Sequence, residues 1–432
     1  MHESVLNRRK ENKKLTFTLT GACLAVMLTC ALLTGIVSQT ILSVVLLAMS
    51  CLLLLTRGVH LAFPIMMFYY DSFGTFAGMS VYRYFSLIFL LSVISNRGGV
   101  LVRKRQLAPV FIFLLYAFIV IGSEDVRRAI FAIVDVACVL FLVNSYLDTK
   151  EKLKSFFKIY VFTALCAYVT GTVINATVEN LMEVNGQLVE VSRNYATFED
   201  PNYAGLFYTV AIFSLLTLKL FNPKIRVVLV VALTAIVLTT LSITGLLVNI
   251  LLWGIYLVVH RKLKPTTMIC IALVAIILVG LYSYGLANPD APVIGNFSYR
   301  VLDKLQALEQ NDIGAVTTNR SDLSKQHMDI FWSQPIYKMF VGMNPTSPLI
   351  VDVDRFVGVA HNEYVDLFLN VGFIGAFVYL GYLATRLIHT FQGLRRQNEY
   401  NSCIFMIKMV WALYGMALTL FGDHRFMLLF FL

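Results

Sequence analysis

The chain alternates between long apolar runs and short polar breaks. Most runs reach the roughly 20 apolar residues that a helix needs to cross a hydrocarbon core. On that pattern the sequence predicts membrane spans at 15–33, 36–55, 59–78, 82–95, 107–122, 128–147, 156–175, 202–219, 226–241, 243–259, 266–286, 361–385 and 403–421. Asp71 and Arg83 interrupt the third and fourth, and the pair at 226–259 is broken only around Ser242 to Gly245. The terminal "RFMLLFFL" reads as the opening of a further span. Two polar stretches are too long for connectors. One, 176–201, is acidic, with Glu179, Glu183, Glu190, Glu199 and Asp200 around a lone Arg193; the other runs over 287–360. Long segments of this kind are usually functional. Within the second, "YRVLDKLQALEQ" predicts a helix with Val301, Leu302, Leu305 and Leu308 on one stripe. "SDLSKQHMDIFWSQP" predicts another, capped at Ser321 and stopped at Pro335, with Leu323, His327, Ile330 and Phe331 on one face. Both would lie over the membrane surface, either as a plain lid or to carry Arg300 and Arg320 above a site.

Composition agrees with the pattern. Hydrophobic residues make up 58% of the chain and charged residues 14%, against about 25% charged in a soluble domain. The net charge of +10 does not point to nucleic acid, because in a membrane chain a basic balance reports topology. With the N-terminus inside, about two thirds of the 35 basic residues fall on one side, in loops that include 97–105, 150–158, 219–226 and 261–264. Arg386 and Lys408 are counted with that side. The seven cysteines lie in or beside apolar runs and read as small buried hydrophobes, with neither a disulfide framework nor a metal cluster among them. The charged N-terminus precedes a long apolar run without an A-x-A-like cleavage site, so an uncleaved first helix is expected.

The fold class expected is therefore all-α: a polytopic transmembrane bundle of about 13 helices with a large extracytoplasmic loop carrying short helices. Three regions follow: a transmembrane bundle over 1–286, the loop subdomain over 287–360, and C-terminal transmembrane helices over 361–432. No P-loop, G-x-G-x-x-G, H-E-x-x-H or G-x-S-x-G motif is present. Asp71 and Asp135 are the acidic exceptions within spans, too few to favour an ion-coupled transporter. One stretch combines charge with a span: "AHNEYVDLFLNVGFIGAFVYL", from Ala360, places His361, Glu363 and Asp366 at the mouth of a membrane helix. In a regular helix His361, Tyr364 and Phe368 would share one stripe, and Glu363, Asp366 and Asn370 another.

Four pieces, "SRNYATFEDPNYAGLFYTVAI", "TLSITGLLVNILL", "NRSDLSKQHMDIFWSQPIYKMFVG" and "AHNEYVDLFLNVGFIG", resemble in this order the O-antigen ligase and polymerase family of polytopic membrane glycosyltransferases. The resemblance covers roughly residues 190–430. It implies a glycan donor on a polyprenyl pyrophosphate, an acceptor hydroxyl, no metal and no cofactor. It also implies a bacterial cytoplasmic membrane with the active site outside, and a flippase and chain-length regulators as partners. It assigns Arg193 to the pyrophosphate, with ion pairing to Glu190 or Glu199 as the alternative; Pro201 and Asn202 would fix the helix entrance. Ser242 and Gly245 match the family's short break, but Thr244 stands where many relatives have Arg nearby. The second phosphate-binding cation is then Arg300 or Arg320, with Arg320 the better choice. His361 would be the catalytic base, with Glu363 next in line, and Asn202, Asn362 and Tyr364 would contact substrate. Gly372 and Gly375 would allow close helix packing behind the site. Polymerisation of lipid-linked repeat units is the leading function. A ligase shares the same chemistry, and a flippase of the same lipids is the rival from another class.

Overall fold

The computed structural model describes residues 44, 48, 59–69, 75–76, 79–95, 106–108, 110–112, 114, 126–173, 177–184, 187–194, 196–198, 200–260, 265–288, 291, 293–317, 320–343, 351–353, 356–358, 360–394, 398–420 and 424–432. The expected spans at 15–33 and 36–55 lie outside them, two isolated positions apart, as do Asp71, Glu199 and the later part of 107–122.

The described fold is helical. Its N-terminal part comprises α1 (Phe63–Phe68), α2 (Val81–Ser95), α3 (Val126–Phe141) and α4 (Lys150–Val173), with a π-helical turn over Leu142–Tyr146 after α3. Then come α5 (Pro201–Thr217), α6 (Pro223–Thr239), α7 (Ile243–Val259) and α8 (Pro265–Ala287). The long loop folds into α9 (Ile294–Glu309), α10 (Ile313–Thr317), α11 (Arg320–Trp332) and α12 (Ile336–Val341). The chain finishes with α13 (Glu363–Leu394), α14 (Glu399–Tyr414) and α15 (His424–Phe431). From 82 onward these follow the hydropathy pattern closely. Two described helices, over Lys150–Thr172 and Glu363–Leu394, are long and apolar enough to cross a membrane.

Capping residues set several helix starts. Asp200 accepts from the Asn202 amide ahead of Pro201, Asn222 from Ile225 ahead of Pro223, Ser242 from Gly245, and Asn398 from Tyr400 and Asn401. In each, a side-chain oxygen satisfies an amide that the first helical turn leaves without a partner. α5 is buried nearly all round, as a helix at the centre of a bundle must be. It packs against α4, α6, α7 and α14, and α14 in turn packs against α13. At the far end of α14, Glu399 receives Lys150 at 2.8 Å, Lys154 at 2.9 Å and Lys219 at 3.1 Å, tying α4 and the end of α5 to α14.

The structure departs from the hydropathy reading in several places. Three two-stranded antiparallel hairpins accompany the helices. The stretch expected as a span over 59–78 is instead the short α1 followed by the hairpin β1 (Thr75–Phe76) and β2 (Met79–Ser80). The acidic segment is the hairpin β3 (Thr177–Val184) and β4 (Gln187–Asn194), whose register leaves Asn185 and Gly186 between the paired ends. The third hairpin, β5 (Val351–Val353) and β6 (Phe356–Gly358), precedes α13. On the stripe expected for α9, Leu305 and Leu308 are exposed and Val301 and Leu302 half-buried, while Ser298, Arg300 and Ala307 are buried. Lastly, α13 is two helical segments joined at Gly372, which takes φ 61° and ψ −170°. Gly372 therefore breaks the helix where sequence placed a packing surface. Gly342, with φ 97°, sits beside it, and a Cβ on either glycine would strike the backbone of the other's neighbours, Asn370 or Phe340. The Met343 amide donates to the Leu369 carbonyl across the break at 2.7 Å, using an acceptor that the interrupted ladder leaves over.

Candidate functional site

Several helix starts meet on the side of the long loop. The Ser242 hydroxyl donates to Asn202 Oδ1 at 2.5 Å, joining the entrance of α7 to that of α5. From α11, the Ser324 hydroxyl donates to the Ala360 carbonyl just ahead of α13. The segment 415–420, after α14, threads between them. Its Gly415 carbonyl accepts from the Glu363 amide at 2.7 Å and its Ala417 carbonyl from Arg320 Nη1 at 2.6 Å. Its Thr419 carbonyl accepts from the Tyr203 hydroxyl at 3.1 Å, and the Thr419 hydroxyl donates to Asp366. Beneath this level Asn249 Nδ2 donates to Thr209 Oγ1 at 2.7 Å, which shares a hydrogen bond with the Tyr414 hydroxyl at 3.0 Å. Polar side chains inside a bundle are costly unless satisfied in this way.

Three of the expected residues come together here. Arg320 opens α11. Burial lowers its pKa from the usual guanidinium value, while the nearby Asp200 and Tyr203 work the other way. Arg300 on α9 is only 8% exposed. Burial lowers it too, Asp303 opposes that, and the Arg320 charge adds to it. Among the described residues Arg300 has no ion pair, and its Nε has no hydrogen-bond partner. His361 is most strongly influenced by burial, then by the Arg320 charge, both lowering its pKa; Asp200 opposes them and His327 adds to them. The net direction is downward, so His361 keeps a neutral imidazole to lower pH than a free histidine does. Its φ of 47° is a left-handed conformation that costs a non-glycine residue about 1–2 kcal/mol.

The other expected residues are placed differently. His361 precedes the helix, so it shares no helical stripe with Tyr364 and Phe368. Asn362 caps α13 instead, its Oδ1 accepting from the amides of Tyr364 at 3.0 Å and Val365 at 3.4 Å. Tyr364 gives its hydroxyl to the Ala412 carbonyl at 2.6 Å, and Asn202 is held by Ser242. In each of the three, a side-chain oxygen is engaged in the scaffold. Glu363, expected as the reserve base, is 0% exposed; Oε1 accepts from the Tyr379 hydroxyl and Oε2 from the Leu420 amide, each at 2.6 Å. A carboxylate so buried and committed ties α13 to the 415–420 segment. Arg193 lies in β4 opposite Val178. Both strands of this hairpin pack against α9, the helix of Arg300.

Asp200, Tyr203, His327 and Thr419 join the site without having been singled out as site residues. His327 is fully buried, with Nδ1 2.6 Å from the Leu323 carbonyl. The sequence held a signal for Asp200, an Asp directly before Pro at a helix entrance, but none for Thr419, which reaches Asp366 only through the fold. Among the described residues no group of three His, Cys, Asp or Glu side chains is arranged to hold a metal. What the site offers is one buried and one half-buried guanidinium group, a neutral imidazole and convergent helix N-termini, which together attract anions. The chain matches no family model, no curated protein and no solved structure.

Proposed function

We propose that the chain is a multi-pass membrane glycosyltransferase that polymerises polyprenyl-pyrophosphate-linked repeat units into a surface polysaccharide. The observation that carries this reading is Arg300, buried within electrostatic reach of Arg320 and without an ion pair among the described residues. A buried charge without a partner is costly, and a diphosphate placed between the two guanidinium groups would supply one, since Arg grips phosphate oxygens with a planar fork. The acceptor hydroxyl oxygen attacks the anomeric carbon, and the bond from that carbon to the pyrophosphate oxygen breaks. Negative charge grows on the departing polyprenyl pyrophosphate, where the two arginines oppose it. The hydroxyl proton passes to a ring nitrogen of His361, kept neutral by its surroundings. Arg193, on the hairpin that packs against α9, is assigned to the same pyrophosphate by the family resemblance.

The membrane setting belongs to the same proposal. Consecutive helices α6, α7 and α8 turn Val227, Val228 and Val231, Leu247 and Ile250, and Ile276 and Val279 outward. Water would not favour such a surface, whereas lipid tails would. On this reading the site lies on the outer side of a bacterial cytoplasmic membrane, opposite the lysines around Glu399.

Purified protein supplied with a defined lipid-linked repeat unit is the test. A ladder of products is expected from a polymerase, whereas a single transfer to another acceptor would mark a ligase. His361→Gln should still bind the donor but turn over roughly 10²–10⁴ times more slowly, as expected for a lost general base. Near-normal turnover in that variant would remove the base assignment.

A further inference from the structure

We infer that α12, together with Trp332 at the end of α11, is an interfacial anchor seated at the boundary between lipid headgroups and acyl chains. The strip "WSQPIYKMF" turns its largest side chains outward: Trp332 is 57% exposed, Ile336 71% and Tyr337 64%. Contiguous exposed apolar patches on proteins mark interaction surfaces. Lys338 is the strip's only charge. Trp and Tyr beside a lysine is the composition that settles at membrane interfaces, where each side chain has one apolar part and one polar end.

Continuity identifies the occupant as lipid. Phe373 of α13 contacts Trp332 with ring centroids 5.8 Å apart and Phe340 at 5.9 Å, and stacks on Phe377 at 6.1 Å. Phe377 and its neighbour Ile374 are exposed on a helix long and apolar enough to cross a membrane. The medium that bathes Ile374 and Phe377 therefore extends along one unbroken aromatic surface to α12. The paired glycines at Gly342 and Gly372 hold α12 against α13 at that level. Since α11 carries Arg320 and His327, the anchor fixes the height of both above the mouth of α13. This inference rests on the proposed membrane placement of α13 and not on the glycosyl-transfer chemistry.

The full chain, reconstituted in nanodiscs whose lipids carry bromine high or low on the acyl chain, provides the test. Subtracting the fluorescence of Trp332→Phe from that of the unaltered protein isolates one of the three tryptophans. The Trp332 component should be quenched roughly twofold more by shallow than by deep bromines, as for an indole at an interface. Iodide in the water should quench it little. The double variant Ile336→Asp, Tyr337→Asp should lose the shallow quenching and gain hydrogen exchange over 336–343. Strong iodide quenching without bromine quenching would overturn the anchor, and so would insensitivity to both quenchers, which indicates a protein partner. Release of the whole chain from membranes by carbonate would instead overturn the membrane placement itself, and the anchor with it.

Discussion

His361 and Glu363 stand two residues apart and have opposite surroundings. His361 sits outside the helix in a left-handed conformation, among Arg320, Asp200 and His327. Glu363 is the first residue of α13 and points inward, satisfying the Tyr379 hydroxyl and the Leu420 amide. Tyr379 in turn accepts from Trp411 Nε1 at 2.8 Å, so the carboxylate closes a buried chain of donors. Glu363→Gln supplies one acceptor oxygen where two are needed and leaves a buried donor unsatisfied, at a cost of about 1–3 kcal/mol. Purified Glu363→Gln should therefore melt at a lower temperature than the unaltered protein. An unchanged melting temperature with abolished turnover would return the residue to the chemistry. Sequence alone could nominate both residues as proton carriers. Only the backbone path at Asn362, which starts the helix two residues later than its polar pattern suggests, separates their surroundings.

At the scale of elements, hydropathy located most described helices to within a few residues, because an apolar run of sufficient length has few alternatives to a helix in a bilayer. It did not reveal the hairpins. The signal for β3 and β4 was present in Asn185-Gly186, flanked by Met182, Val184, Val189 and Val191 alternating with Glu183 and Glu190, a strong short-range hairpin pattern. The break in α13 was less visible, since a glycine in a membrane helix usually signals close packing. What makes Gly372 a break is Gly342, thirty residues earlier. Gly342→Ala and Gly372→Ala each place a Cβ where φ is positive and the opposing backbone is too close, costing at least the 1–2 kcal/mol or so of a left-handed non-glycine residue. Hydrogen exchange over 336–343 should rise in both variants while that of α14 stays unchanged. Unaltered exchange would show that α12 is held by its aromatic contacts alone.

Over the whole molecule, the acidic hairpin and the long loop lie together, as their shared side in the charge pattern implies: β3 and β4 pack on α9. Two cations assigned by sequence to the inner loops are buried instead. Lys408 donates to the Leu429 carbonyl at 3.1 Å and Arg386 to the Leu432 carbonyl at 2.9 Å. The loop lysines and arginines that remain still set the expected orientation. Single-cysteine labelling in intact cells should reach positions in 176–200 and 300–340, but not in 98–105. Labelling of 300–340 only after permeabilisation would reverse the topology and place the site in the cytoplasm.

Length and polarity of the apolar runs, read along the chain, were enough to indicate a helical protein and the borders of most of its described helices. Each of these depends on residues near one another in sequence and on the medium around them. The candidate site depends on contacts between distant residues. Arg320 meets the Ala417 carbonyl, Asp366 meets Thr419, and Arg300 lies buried within electrostatic reach of Arg320 although Leu305 and Leu308 of its own helix are exposed. No local pattern encodes these meetings, because they follow from how α5, α11, α13 and the 415–420 segment pack against one another. Tertiary structure alone therefore decided which charged residues gather at the site and which of them, like Glu363, hold the scaffold.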